Sequence, residues 1–215
     1  MSLTLESVAP GRRHELALAD GRVELTWLEL DPLLNRAANA MAAAAGGQRR
    51  VAVYALNSAE AVIAYVAGIE GGVSTVPVSY HLTAGEAAYI LRDSGASVLL
   101  VAPETAEAGL AAAAEAGVPL VIGWRCDARA GLADWDAWLA AASDAPPPAD
   151  ARPLPHLHYT SGTTGTPKAT ETPPQYWPEA ASVAEFAALI RPKATPSPGL
   201  VAGPLYHTGP LRQAR

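Results

Sequence analysis

What most constrains the fold is a rhythm in the first half of the chain: short β-branched, apolar runs alternate with helical patterns that end at glycine. Arg50-Val51-Ala52-Val53-Tyr54-Ala55, the stretch from Val73 to Val78, Ser97-Val98-Leu99-Leu100-Val101 and Val118-Pro119-Leu120-Val121-Ile122 are short enough to be buried strands. Between them, Asn57 with Glu60 predicts a capped helix that carries Val62, Ile63, Val66 and Ile69 on one face. Thr83 with Glu86 forms a capping box ahead of Ala87, Ile90 and Leu91, and Pro103 opens an alanine-rich helix running to about Ala116. Strands in this alternation need a helix to return the chain, so the expected class is α/β, a mostly parallel sheet flanked by helices.

Before the first of these runs, little regular structure is expected ahead of a short strand at Arg22-Val23-Glu24-Leu25. Two helix starts then compete. Thr26 with Glu29 is a capping box, but a helix begun there would hold Pro32 in its interior; Asp31-Pro32 puts the proline in the first turn. The main helix is therefore expected from about Asp31 to Ala45, with Gly46-Gly47 as its stop. A further helix over Leu132 to Ala142 would place Trp135, Trp138 and Leu139 on a packing face.

Residues 1–144 thus form an α/β layered subdomain, and the proline-rich stretch 145–155 reads as a linker, because proline can join neither a helix interior nor a central strand. Residues 156–215 are expected to hold a second, incomplete subdomain: a strand at His156-Leu157-His158-Tyr159, a helix over Glu179 to Ile190 and a brief strand at Leu200-Val201-Ala202.

A net charge of −6 with no basic run removes nucleic acid from the expected partners. No apolar run is long enough to span a bilayer, and the first twenty residues lack the apolar centre of a signal peptide, so no transmembrane segment and a cytoplasmic location are expected. The single Cys126 fits a reducing compartment and reads as a packing residue. His156 and His158 share a strand face, but no carboxylate or cysteine stands at ligand spacing, and no metal site is assigned. His81 falls in a strand-to-helix loop with no partner identifiable from sequence.

Chemistry concentrates in Tyr159-Thr160-Ser161-Gly162-Thr163-Thr164-Gly165-Thr166-Pro167-Lys168. Glycines let backbone N–H groups approach an anion, hydroxyls add neutral donors and Lys168 adds a point charge, which together suit a polyphosphate. The spacing excludes a Walker A loop: two residues separate Gly162 from Gly165, Pro167 precedes the lysine and Ala169 follows it. A second constellation, Pro204-Leu205-Tyr206-His207-Thr208-Gly209-Pro210, pairs an aromatic ring with a histidine in a turn.

The ten-residue string resembles the signature of the adenylate-forming superfamily, which includes acyl-CoA synthetases, aryl-CoA ligases, luciferases and peptide-synthetase adenylation domains. Residues 50–72 and 76–100 resemble the early part of fatty-acyl-CoA synthetases in register with the expected strands and helices. The resemblance implies the incomplete N-terminal domain of an AMP-forming acid–CoA ligase, whose substrates and cofactors are a carboxylic acid, ATP, Mg2+ and coenzyme A. It implies that Thr160, Ser161, Gly162, Thr163, Thr164, Gly165 and Lys168 hold the β- and γ-phosphates, with Lys168 catalytic. It also implies that Tyr206, His207, Thr208 and Gly209 line the acyl pocket, with His207 orienting the carboxylate or phosphate. Later segments that hold adenine, ribose and magnesium are not in the sequence, so little activity is expected of these residues alone, and a second copy or partner chain would cover exposed edges. A non-catalytic nucleotide-binding module derived from that family is the alternative.

Overall fold

The computed structural model describes residues 5, 8–160, 167–172, 177–190 and 199–214. Its centre is a parallel five-stranded sheet of order β4-β3-β5-β6-β7, built from β3 (Arg50–Tyr54), β4 (Ser74–Val78), β5 (Val98–Val101), β6 (Leu120–Gly123) and β7 (Ala133–Asp134). Successive side chains on a strand point to opposite faces, and the two halves of the core divide accordingly. Val51, Val53, Val98, Leu100 and Ile122 face α1 (Trp27–Ala44), α2 (Ala59–Glu70) and α5 (Trp135–Ala140). Ala52, Tyr54, Leu99, Val101 and Val121 face α3 (Ala84–Ser94) and α4 (Ala106–Ala116). Burial on both faces explains why these strands read as continuous apolar runs.

The chain enters through an antiparallel hairpin: β1 (Leu16–Ala19) lies where little regular structure was expected, and its partner β2 (Glu24–Thr26) overlaps the strand expected at Arg22–Leu25. Asp20 shapes the turn: its Oδ1 accepts the amides of Arg22 and Val23, each at 3.0 Å, while Gly21 takes φ +79°. The hairpin delivers Thr26 directly to α1, which begins at Trp27 rather than near Asp31. Both capping-box bonds form between Thr26 and Glu29, and Pro32 lies inside the helix. An interior proline costs about 3 kcal/mol; here the reciprocal cap and the burial of Leu30, Leu34, Ala37, Ala38 and Met41 offset it.

Smaller departures have local causes. Ser58, not Asn57, caps α2 by accepting the Ala61 amide, which leaves the Asn57 side chain available elsewhere. Thr105 precedes α4 without capping it, because its hydroxyl donates to the carbonyl of Tyr54 and accepts the amide of Ala102. Helix α5 is shorter than expected, since β7 takes Ala133 and Asp134; Trp135 is buried and edge-packed on Trp124, in keeping with a packing role.

β8 (Leu157–Thr160) pairs antiparallel with β9 (Lys168–Glu171) and packs beside the edge strand β4. The stretch leading into β8 is tied to that edge by Ser74, whose hydroxyl donates to the carbonyl of Pro155, and by the Thr75 hydroxyl against His156 Nδ1. α6 (Val183–Ile190) sets Phe186 against Trp177 and Ile69. Leu200–Ala202 is not a strand, and the chain instead closes with a helix not foreseen from sequence, α7 (Thr208–Gln213). No helix among the described residues is long and apolar enough to cross a membrane.

Candidate active site

The phosphate-loop motif is described at its two stems. Ser161, Gly162, Thr163, Thr164, Gly165 and Thr166 lie outside the described residues. Thr160 ends β8, Lys168 begins β9, and the two are direct partners in the ladder, both exposed. Lys168 was expected in the loop and instead opens a strand.

Both stems are tied to α3. On one side the Tyr159 phenol donates to Asp93 Oδ2 at 2.6 Å; on the other the Tyr89 phenol donates to the carbonyl of Pro167 at 3.2 Å. Tyr89 and Asp93 are four residues apart and share a helix face. Partial burial, and then the hydrogen bond to Asp93 and its negative charge, push the Tyr159 phenol well above its ordinary range. Nothing in the sequence marked Tyr89 or Asp93, because an i,i+4 pair on a surface helix has no distinctive spacing.

The second motif folds as a tight turn into α7. The amide of His207 donates to the carbonyl of Pro204, Leu205 is buried, and His207 occupies the N-cap position of α7 without a side-chain cap bond. Thr208 is the first residue of α7 and Gly209 follows it. The half-buried Tyr206 ring contacts the exposed His207 ring at a centroid separation of 4.4 Å.

Tyr206 also meets the loop that follows β4. Tyr80 packs edge-on to it at 5.5 Å, and His81 stands at 6.5 Å and 87°, so His81 has aromatic partners that the sequence did not disclose. That loop is held from beneath by Tyr54, whose hydroxyl donates to the carbonyl of Leu82. Burial, then the nearby Glu86 charge, raise the Tyr54 phenol above its ordinary value, so it stays a donor. The cluster therefore forms where β4 ends and α3 begins, at the carboxyl ends of the strands. Crevices of open α/β sheets bind ligands at those ends.

The sequence had also overlooked Asn57. Its Nδ2 donates to the carbonyl of Gly203 at 2.8 Å and its Oδ1 accepts the amide of Leu205 at 2.8 Å. Two cap-competent residues in succession, Asn57-Ser58, are the available signal, since only one of them can cap α2.

Among the described residues, no hydrogen bond or ring contact joins Lys168 to Tyr206 or His207. Each motif instead attaches to the unit of β4, its loop and α3. An apolar crevice between α2 and α7, lined by Val62, Tyr65, Ile69, His156 and Leu211 among others, includes none of the motif residues. Among the described residues, no group of three ligating side chains could hold a metal. Burial, the largest influence on Cys126, raises its thiol pKa and makes it a poor nucleophile.

Residues 5–208 match the family of AMP-binding enzymes. The chain belongs to that family. It is 32% identical over 166 residues to 3-hydroxybenzoate–CoA ligase of Aromatoleum sp. (strain CIB), covering 75% of this chain and 32% of the relative. It is 37% identical over 162 residues to a feruloyl-CoA synthase of Amycolatopsis sp., covering 72% of this chain and 29% of the relative. The chain thus spans about a third or less of the curated relatives it matches. Among solved structures, ATP-bound MatB from Rhodopseudomonas palustris aligns at a TM-score of 0.66 and 24% identity, over 100% of this chain and 42% of that one. The anthranilate CoA ligase AuaEII in complex with anthranoyl-AMP aligns at 0.68 and 24% identity, over 81% of this chain and 35% of that one. These likenesses show that the sheet and its helices have the fold of the N-terminal domains of adenylate-forming enzymes, as the resemblance of the sequence implied.

Proposed function

We propose that this chain supplies the pyrophosphate grip and the first wall of the acid pocket of an AMP-forming acid–CoA ligase. In that reaction a carboxylate would attack the α-phosphate of ATP, releasing pyrophosphate and leaving an acyl-adenylate; the thiol of coenzyme A would then displace AMP to give the thioester. The observation that carries the reading is the order Tyr159 to Lys168, hung between two paired strands, in a chain that belongs to the AMP-binding enzymes.

The obstacle in the first step is the approach of an anion to an anion. Lys168 would offset charge on the leaving pyrophosphate, while Thr160 and the loop residues Ser161, Gly162, Thr163, Thr164 and Gly165 would donate neutral hydrogen bonds to it. A hydrogen bond to a charged group contributes about 1.5 to 3 kcal/mol, and a donor aimed at developing charge about 10²- to 10³-fold in rate. Magnesium enters as the companion of ATP, and no step is assigned to a metal held by the described side chains. Tyr206 and His207 would face the acid, with Thr208 and Gly209 opening α7 beside them. The connection through 145–155 and the subdomain beginning at 156 belong to the same proposal.

The test is acid-dependent exchange of pyrophosphate into ATP by the complete gene product, with benzoate, 3-hydroxybenzoate, ferulate and a fatty acid as candidates and Lys168→Ala as control. Aromatic acids come first because four curated relatives carry such acids in their names. Exchange that falls about 10²-fold or more in Lys168→Ala supports the reading. Exchange untouched by that substitution would sink it, and ATP binding without exchange for any acid would favour a nucleotide-binding module.

A further inference from the structure

We infer that Asn57 is a positioning residue for the acid-facing turn, acting through the backbone of Gly203 and Leu205. The inference deepens the proposed function, since it rests on Tyr206 and His207 facing the acid.

Asn57 is exposed, and an exposed amide ordinarily bonds to water with no structural consequence. Here both ends of the amide are used, and both on one segment 146 to 148 residues downstream: Nδ2 donates to Gly203 and Oδ1 accepts from Leu205. The side chain therefore pairs with the turn as a peptide group would. Only one amide orientation works, because the reverse would set NH2 against the Leu205 N–H and the oxygen against the Gly203 carbonyl. Tyr206 and His207 follow immediately. With the His207 amide bonded to the carbonyl of Pro204, fixing Gly203 and Leu205 fixes the direction in which both rings leave the backbone.

The support beneath Asn57 is itself fixed on both sides. The Leu56 amide donates to Glu104 Oε1 at 2.9 Å and the Ala59 amide to Asp20 Oδ2 at 2.9 Å. The far side of the turn has no slack either, since a Cβ on Gly203 would stand 2.5 Å from Cγ of Pro210 in α7. Rigid on both sides, the two hydrogen bonds transmit position rather than merely adding stability.

Two variants separate this role from a structural one. Asn57→Ala removes both bonds; Asn57→Asp keeps an acceptor for the Leu205 amide and loses the donor to Gly203. Hydrogen exchange of the Leu205 amide by NMR needs no activity: exchange should quicken about tenfold or more in Asn57→Ala and by less in Asn57→Asp, which keeps the acceptor for Leu205 but sets its second oxygen against the Gly203 carbonyl. Acid-dependent pyrophosphate exchange by the complete gene product should lose roughly 10- to 100-fold in kcat in Asn57→Ala with the KM for ATP unmoved, and recover in part in Asn57→Asp. Unchanged Leu205 exchange in Asn57→Ala overturns the inference, as does quickened exchange with full kcat. If the wild-type protein exchanges pyrophosphate with no acid, the functional reading fails by itself, and the Leu205 amide still decides whether Asn57 holds the turn.

Discussion

Lowering the pH through the range of one carboxylate should loosen the support on which Asn57 stands. Asp20 is partly buried, which raises its pKa, but the amides of Ala59, Arg22 and Val23 and the guanidinium of Arg125 all donate to it and bring it from 3.8 to about 2. A difference of that size between folded and unfolded chains is worth roughly 2 kcal/mol at neutral pH, using about 1.36 kcal/mol per unit. The side chain is 13% exposed, so solvent screens the interaction only in part, and the value is an upper figure. Because the folded pKa is depressed, the stabilisation is complete above the unfolded value near 3.8 and is lost as the pH falls through about 2. Asp20→Asn should abolish this pH dependence. Urea unfolding of both proteins between pH 7 and pH 2 measures it: the gap in unfolding free energy should close by up to about 2 kcal/mol as the pH falls from about 4 to 2. A gap constant over that range would refute the argument, because the stabilisation would then not depend on the carboxylate charge.

Gly68→Ala should destabilise the chain. Its Cβ would stand 2.6 Å from Cγ2 of the buried Thr75 and 3.1 Å from the carbonyl of Val73, an overpacking cost of about 1 to 3 kcal/mol against at most about 1 kcal/mol of helix propensity; a lower urea midpoint is expected, and an unchanged one counts against it. Alkaline titration followed by absorbance should show tyrosines that resist ionisation well above pH 10, with one fewer in Tyr159→Phe. Loss instead of a tyrosine that ionises near pH 10 would mean that neither burial nor Asp93 holds the Tyr159 phenol protonated. The Lys168→Ala loss of pyrophosphate exchange and the Asn57 pair complete the set.

The α/β layering was legible because strands buried on both faces are written as uninterrupted apolar runs, and because Thr83 with Glu86 marks a helix start that nothing nearby contests. At Thr26 the same signal was outweighed by Pro32, since sequence displays the proline but not the area that Leu34 and Met41 bury against the sheet. The strand near Glu24 was legible, but its partner Leu16–Ala19 was missed because the turn between them depends on Asp20, a residue engaged at once by the turn, by Ala59 and by Arg125. Of the candidate site, the two motifs announced themselves by order and composition. Their supports, Asn57, Tyr80, Tyr89 and Asp93, did not, because each acts across a long sequence separation through a single hydrogen bond or ring contact, or a pair of them.

The paired tethers on α3 amount to a ruler. Tyr89 and Asp93 leave the helix four residues apart, about 6 Å along its axis at about 1.5 Å per residue, and that spacing sets where Pro167 and Tyr159 are gripped. Residues could be added between Thr160 and Pro167 without changing the distance between the two grips, so the loop's length is free to vary while its mouth is not. One residue inserted into α3 between Tyr89 and Asp93 would instead rotate one grip by about 100° and pull the stems out of register. In this segment the helix register, more than the loop itself, carries the dimension that a polyphosphate would meet.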